Sequence, residues 1–132
     1  MQVEVVSPER ITYSGEAEMV IVRTVGGGEL AFLSGHVPFI GVLQVSAARV
    51  IDGGETTAFA LHQGFVQMAN EKVTILSDVS EAKDEIDISR AEAARSRAEA
   101  AIAADADDED AQSSLERALI RLSVATGEAV GV

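Results

Sequence analysis

The chain has 132 residues, enough for one domain or one small domain with an appendage, and 47% of them are apolar, which excludes a disordered acidic tail. Acidic residues number 22 against 10 basic ones, a net charge of −12, which disfavours a broad basic face for nucleic acid or for an anionic membrane surface. With no cysteine there is no disulfide, thiolate nucleophile or cysteine-ligated metal.

In chain order, Met1-Gln2-Val3-Glu4 opens without a basic or apolar leader, and no apolar run approaches the ~20 residues that span a bilayer. The expectation is a cytoplasmic protein with no direct membrane insertion. Eight short strands are then predicted, at 3–6, 17–24, 29–33, 41–45, 47–51, 56–61, 64–68 and 73–77. Turn residues separate them at Ser14-Gly15, Gly26-Gly27-Gly28, Asp52-Gly53-Gly54 and Asn70-Glu71-Lys72. Close turns between many short strands predict an antiparallel β-sandwich or barrel. All five aromatics (Tyr13, Phe32, Phe39, Phe59 and Phe65) fall before residue 80, so the core with large side chains belongs to this part.

Beyond residue 80 the composition turns to Ala, Glu, Asp and Arg. Ser89-Arg90-Ala91-Glu92 has the spacing of a capping box, with Asp87 as a rival cap, and a helix is expected to run to about Ala104. A second helix is expected from near Asp108, where acids complement its dipole, with Ala111, Leu115, Ala118, Leu119 and Leu122 on one face and Gly127 ending it. The end after Gly127 is short and apolar. The two helices read as an antiparallel hairpin whose largely alanine faces bury little area, so marginal docking and movement are expected.

The sequence offers little for catalysis. Gly26-Gly27-Gly28 leads into the strand-like Glu29-Leu30-Ala31-Phe32-Leu33, which suits a hairpin connection and not a dinucleotide loop. His36 and His62 are far apart and lack nearby acidic partners, so turn or structural roles are expected. The acidic run places Asp105, Asp107, Glu109 and Glu116 at calcium-loop positions, but Asp110 stands where glycine is needed, and a solvated helix connection is preferred. No catalytic residue and no metal site is expected.

The arginines carry more information. Arg90 and Arg97 share one helix face, as do Arg117 and Arg121, and folding the hairpin about residue 107 brings these faces together. Arginine forks match phosphate oxygens, so a polyphosphate could sit among them; alternatively Asp87, Glu99 and Glu116 neutralise them locally.

Over nearly its whole length the chain resembles the epsilon subunit of F-type ATP synthase. Val5-Val6-Ser7-Pro8-Glu9 with Tyr13-Ser14-Gly15 is similar to that family's opening, and Gly28 to Pro38 (GELAFLSGHVP) to its most specific stretch. Gly64 to Met68 and Val73 to Asp78 are similar to its last hairpin. The resemblance implies an α+β architecture. An N-terminal antiparallel β-sandwich of about ten strands would span residues 1–83 and bind the gamma subunit and the membrane rotor ring of c subunits. A C-terminal helical hairpin would span 84–132. Gly28, Glu29 and nearby His36 would face the ring. The hairpin would fold against the sandwich or extend along gamma to the alpha/beta subunits, braking ATP hydrolysis. Ile86-Asp87-Ile88-Ser89-Arg90-Ala91 matches the I/L-D-x-x-R-A motif of members that bind ATP. By the same resemblance Glu81, Ile86, Asp87, Arg90, Ala91, Arg97, Arg117 and Arg121 would hold ATP as a regulatory ligand, with or without Mg²⁺. The implied role is a non-catalytic rotor subunit, peripheral at the cytoplasmic face of the membrane. The competing reading is a free-standing sandwich that binds a protein partner through a helical tail.

Overall fold

The computed structural model describes residues 1–128; residues 129–132, with most of the short apolar end expected after Gly127, lie outside the described residues. Eight strands come first: β1 (Gln2–Ser7), β2 (Arg10–Glu16), β3 (Met19–Thr24), β4 (Gly28–Leu33), β5 (Phe39–Asp52), β6 (Glu55–Ala69), β7 (Lys72–Ser77) and β8 (Ser80–Ala82). A 3-10 turn (Lys83–Glu85) then leads to α1 (Ile88–Ala104) and α2 (Glu109–Thr126).

The strands follow the order β2-β1-β7-β6-β5-β3-β4, with β8 added to β6. Every pairing is antiparallel except β1 with β7, which is parallel. The sheet closes over one core. Alternate residues from its two halves, Val3, Val5, Val66, Val73 and Ile75 against Val20, Val22, Phe32, Leu43 and Val50, belong to a single buried cluster. This is the period-two burial of a sandwich.

The strands are fewer and longer than the family resemblance implied. The segments expected at 41–45 and 47–51 run together as β5, and 56–61 with 64–68 as β6. The chain bends within them instead of breaking. There the β5–β6 pairing skips Gln44 and Gln63 while its register stays the same on either side, at Leu43↔Gly64 and Val45↔His62, and Gln63 and Gly64 take φ of 102° and 148°. Ser14-Gly15 is extended and pairs with β1; the true turn lies at Pro8-Glu9. The turns at Gly53-Gly54 and Asn70-Glu71 are as expected, each with positive φ at both residues, which matches the twist of the strands they join.

Both helices are capped by aspartates. The Asp87 carboxylate accepts from the Arg90 amide at 3.0 Å and the Asp108 carboxylate from the Ala111 amide at 3.0 Å. Ser89, half of the expected capping box, is therefore inside α1. Gly127 ends α2 in the left-handed conformation, φ 84°. The buried positions of the hairpin are small: Ala91 and Ala98 on α1, and Ala111, Ala118, Val124 and Ala125 on α2. Of the apolar face expected on α2, Leu119 is 43% exposed and Leu115 and Leu122 are half-buried, because the seven-residue alanine repeat makes the seam. The hairpin meets the sandwich chiefly through α2, which rests on β5, β6, β8 and the 3-10 turn. Val124 and Ala125 pack there on Ala58, Ala60 and Ile86.

Candidate functional site

A cavity of about 370 Å³ opens between the two helices and the end of the sandwich. Glu81, Glu85, Asp87, Arg90, Ala91, Ala94, Arg97 and Arg121 line it. Arg90 and Arg97 reach it because they lie seven residues apart on α1, and Arg121 enters from α2. Asp87 is fixed by its capping bond, and Glu81 accepts from Arg121 Nε at 2.6 Å. Glu85 is held by the Ala82 amide at 2.9 Å and by Arg10 at 2.5 Å, and its carboxyl is pushed below its usual range mainly by the Arg10 bond.

The local neutralisation that the sequence left open does not reach two of the three guanidiniums. Glu99 pairs with Arg95 one turn away at 3.4 Å, and Glu116 is exposed on a different cavity, beside Val42 and Phe65. Among the described residues the Arg90 and Arg97 side chains make no ion pair or hydrogen bond. Two guanidiniums without a carboxylate partner, in an acidic chain, face a concave site of the size that small ligands occupy.

Two residues of the expected set do not line this cavity. Ile86 is buried against Ala58, Ala60 and Val124, where it anchors the start of the hairpin. Arg117 turns back to donate to Ser114 Oγ at 3.2 Å on its own helix. The helical period put Arg117 and Arg121 on one face, but α2 presents only Arg121 to α1 and the cavity.

The other expected group is divided. Gly28 opens β4 at the turn from β3, with φ 70°, and Glu29 beside it bridges Arg49 at 2.9 Å and Arg23 at 3.4 Å. His36, expected nearby, follows the opposite end of β4, its ring edge-on to Phe32 at 4.9 Å. The turn before His36 is tied to Glu71, which accepts from Ser34 Oγ and from the Gly35 amide at 2.6 Å; these two bonds lower the Glu71 carboxyl. No group of His, Asp and Glu able to hold a metal ion occurs among the described residues, and no described helix is long and apolar enough to cross a membrane.

A third feature was missed in the sequence. Val42, Phe65, Leu76, Val6 and Ile11 are cross-strand partners in that order on β5, β6, β7, β1 and β2, so they form one row on the outer face. Phe65 is 55% exposed and Ile11 58%. Ile40, 72% exposed, extends the row along β5. Such a continuous apolar row is a mark of a binding face. Its signal was present in the pairs Val5-Val6, Val42-Leu43, Phe65-Val66 and Ile75-Leu76: adjacent apolar residues on a strand put one inside and one outside.

Comparison with known proteins agrees with this geometry. Residues 1–83 match the family described as ATP synthase, Delta/Epsilon chain, beta-sandwich domain. Residues 84–126 match ATP synthase, Delta/Epsilon chain, long alpha-helix domain. A protein of Bacillus pumilus named ATP synthase epsilon chain is 40% identical over 127 residues, covering 95% of this chain and 96% of the relative. Its namesake from Shouchella clausii is 38% identical over 126 residues, covering 95% and 94%. In fold, a chain of the Euglena gracilis mitochondrial ATP synthase (OSCP/F1/c-ring) superposes with a TM-score of 0.68 at 19% identity, covering 98% of this chain and 79% of that one. A chain of the Tetrahymena thermophila mitochondrial ATP synthase central stalk and c-ring gives 0.55 at 11% identity, covering 97% and 95%. By sequence over both of its parts, the chain belongs to the ATP synthase delta/epsilon family as an epsilon chain, a non-catalytic subunit of that enzyme.

Proposed function

We propose that this epsilon chain is a rotor subunit of the central stalk whose sandwich joins the gamma subunit to the membrane ring of c subunits and whose hairpin regulates ATP hydrolysis in response to ATP. The complex would hold it peripherally at the cytoplasmic face of the membrane. The outer apolar row from Val42 to Ile11 suits burial against gamma, because a face of that extent is stabilised by being covered. The polar turn at Gly28 and Glu29, and the Glu71-braced turn before His36, are assigned to the c-ring.

The observation that carries the regulatory reading is the convergence of Arg90, Arg97 and Arg121 from two helices on one cavity, with Arg90 and Arg97 unpaired among the described residues. The triphosphate of ATP supplies the missing negative charge and bridges α1 to α2, near the capping Asp87 and beside Ala91. Arg117 contributes only if its side chain leaves Ser114. ATP favours the docked hairpin because it binds that state better than the extended one. At a free concentration of 100 times Kd the gain is about 2.7 kcal/mol, comparable to what a small alanine-lined interface contributes. Loss of ATP releases the helices along gamma toward the alpha/beta subunits, where they brake hydrolysis. ATP is here a signal, with no catalytic group set against it.

The test is calorimetric titration of the whole chain with ATP, with and without Mg²⁺, beside Arg90→Ala and Arg97→Ala. Saturable one-to-one binding, weakened tenfold or more in each variant, is expected, since a charged hydrogen bond contributes about 1.5–3 kcal/mol. Unchanged affinity in both variants, or no binding at millimolar ATP, overturns the nucleotide reading and leaves a structural coupling subunit.

A further inference from the structure

His62 lies on β6 beneath α2, with a side chain only 5% exposed. Its backbone amide is fixed by the Val79 carbonyl and by Ser77 Oγ, so the residue is held in place. The ring Nε2 is buried and has no hydrogen-bond partner. The Glu81 carboxylate on β8 is 3.8 Å away, too far for a hydrogen bond. That same Glu81 oxygen is occupied by Arg121 Nε of α2 at 2.6 Å. Arg117, also on α2, adds a second positive charge close enough to act on the ring. The groups facing His62 are therefore one carboxylate on β8, already engaged, and two guanidiniums on α2.

This arrangement exists only while the hairpin is docked. When α2 leaves, both guanidiniums go with it, water reaches the ring, and Glu81 stays behind because β8 remains paired to β6 at Ala60↔Glu81. The environment of His62 then changes from one that rejects a proton to one that accepts it.

We propose that His62 makes docking of the hairpin pH-dependent: a proton on its buried Nε2 opposes the seating of Arg117 and Arg121 over β6 and releases the helices as the pH falls below neutrality. The inference rests on the reading of the hairpin as the moving part and not on nucleotide binding. Burial, then Arg121, lower the imidazole to about 4 in the docked state, against an ordinary value of 6.5; Glu81 opposes this and Arg117 adds to it. A histidine whose pKa is depressed in one state stabilises that state fully above the ordinary value and progressively less as pH falls toward the depressed one. The docking equilibrium constant should therefore drop about tenfold between pH 7.5 and 5.5. ATP and protons would then act on one equilibrium in opposite directions.

The chain has no cysteine, so Ala125→Cys, in the buried contact between α2 and the sandwich, gives a unique thiol that reacts when the hairpin leaves. Its labelling rate, divided by the intrinsic thiolate reactivity at each pH, measures undocking. The expected result is a rise of about tenfold from pH 7.5 to 5.5, abolished by His62→Gln, with His62→Ser as the second variant should glutamine disturb β6. A rate that does not change with pH, or that rises equally in a folded His62 variant, overturns the role of His62 while leaving the moving hairpin intact. No labelling at any pH overturns both. Nuclear magnetic resonance of the His62 ring gives an independent reading: depressed in the parent chain, and returned to near 6.5 by Val124→Asp, which places a charge in the docking contact.

Discussion

The sandwich and the hairpin belong to one chain but are held by different means. Phe32, Phe59, Leu43, Leu61, Met68 and Ile75 are fully buried in or beside the sandwich core, each a large side chain removed from water. Among the described residues of the hairpin, Ile86 and Val124 alone exceed alanine in the buried set. Burial stabilises by about 0.8 kcal/mol per methylene, so the second interface is the weaker by far. Its helices do not depend on that interface for their ends, because Asp87, Asp108 and Gly127 cap them from within. One region is built to persist. The other is internally capped and weakly held, and motions with a function are drawn from such weakly packed regions.

The largest way to break the contrast is in the sandwich. At Gly64 the backbone φ is 148°, and an added Cβ would lie 1.8 Å from the Leu76 carbonyl oxygen of β7. Gly64→Ala should push β6 and β7 apart at the bend and cost roughly 4 kcal/mol or more. Urea unfolding followed by far-ultraviolet circular dichroism measures it; a loss under about 1 kcal/mol would mean that the bend is not rigid. Next comes the hairpin seam. Ala118 is completely buried, so Ala118→Leu should overpack it and cost about 1–3 kcal/mol. The expected reading is faster proteolysis within residues 86–126, with the unfolding midpoint of the sandwich hardly moved. A shift of that midpoint as large as that of Gly64→Ala would show the two regions to be one cooperative unit.

Much of this contrast was legible in the sequence, because it rests on local signals. The shift from aromatics to alanines near residue 80 separated the two modes of packing, and Asn70-Glu71 and Asp52-Gly53-Gly54 marked tight turns. The positions of Arg90 and Arg97 on one face followed from the helical period alone. What was not legible depends on which face meets which. Arg117 and Arg121 are equivalent by period, yet only Arg121 reaches the cavity. Leu119 scored as core by the same period and is exposed, since the alanine repeat draws the helices together along a neighbouring stripe. His62 looked partnerless in the sequence; its neighbours Glu81, Arg117 and Arg121 come from β8 and α2, 19 to 59 residues later. The continuity of β5 and β6 was not legible because the core-facing positions change phase within each, from Leu43 to Ala48 and Val50 and from Phe59 and Leu61 to Val66 and Met68, which reads as two short strands.

A finer test separates a helix end from its charge. Asp87 caps α1 and also lines the arginine cavity. Asp87→Ala should cost about 1 kcal/mol through the lost cap, whereas Asp87→Asn keeps a capping oxygen and should cost a few tenths. If ATP affinity rises equally in both, removal of a negative charge beside Arg90 is the cause; if it falls only in the alanine variant, the cap matters by holding the first turn of α1 in register.

The smallest expected effect is at Glu99, which pairs with Arg95, one turn earlier on the same helix and about half exposed. An exposed pair at this spacing contributes about 0.3–0.5 kcal/mol and is screened by salt. Glu99→Gln should therefore leave both the unfolding midpoint and ATP affinity within error in moderate salt. Its value lies in what it separates. Glu99 was one of the acids that could have neutralised Arg97, and it is instead committed to Arg95. A tighter grip on ATP in Glu99→Gln would mean that Glu99 does reach the cavity in solution and that the unpaired state of Arg97 is shared between two arrangements. No change would leave Arg90 and Arg97 facing the cavity without a carboxylate partner among the described residues, so that an added anion finds two guanidiniums to pair with.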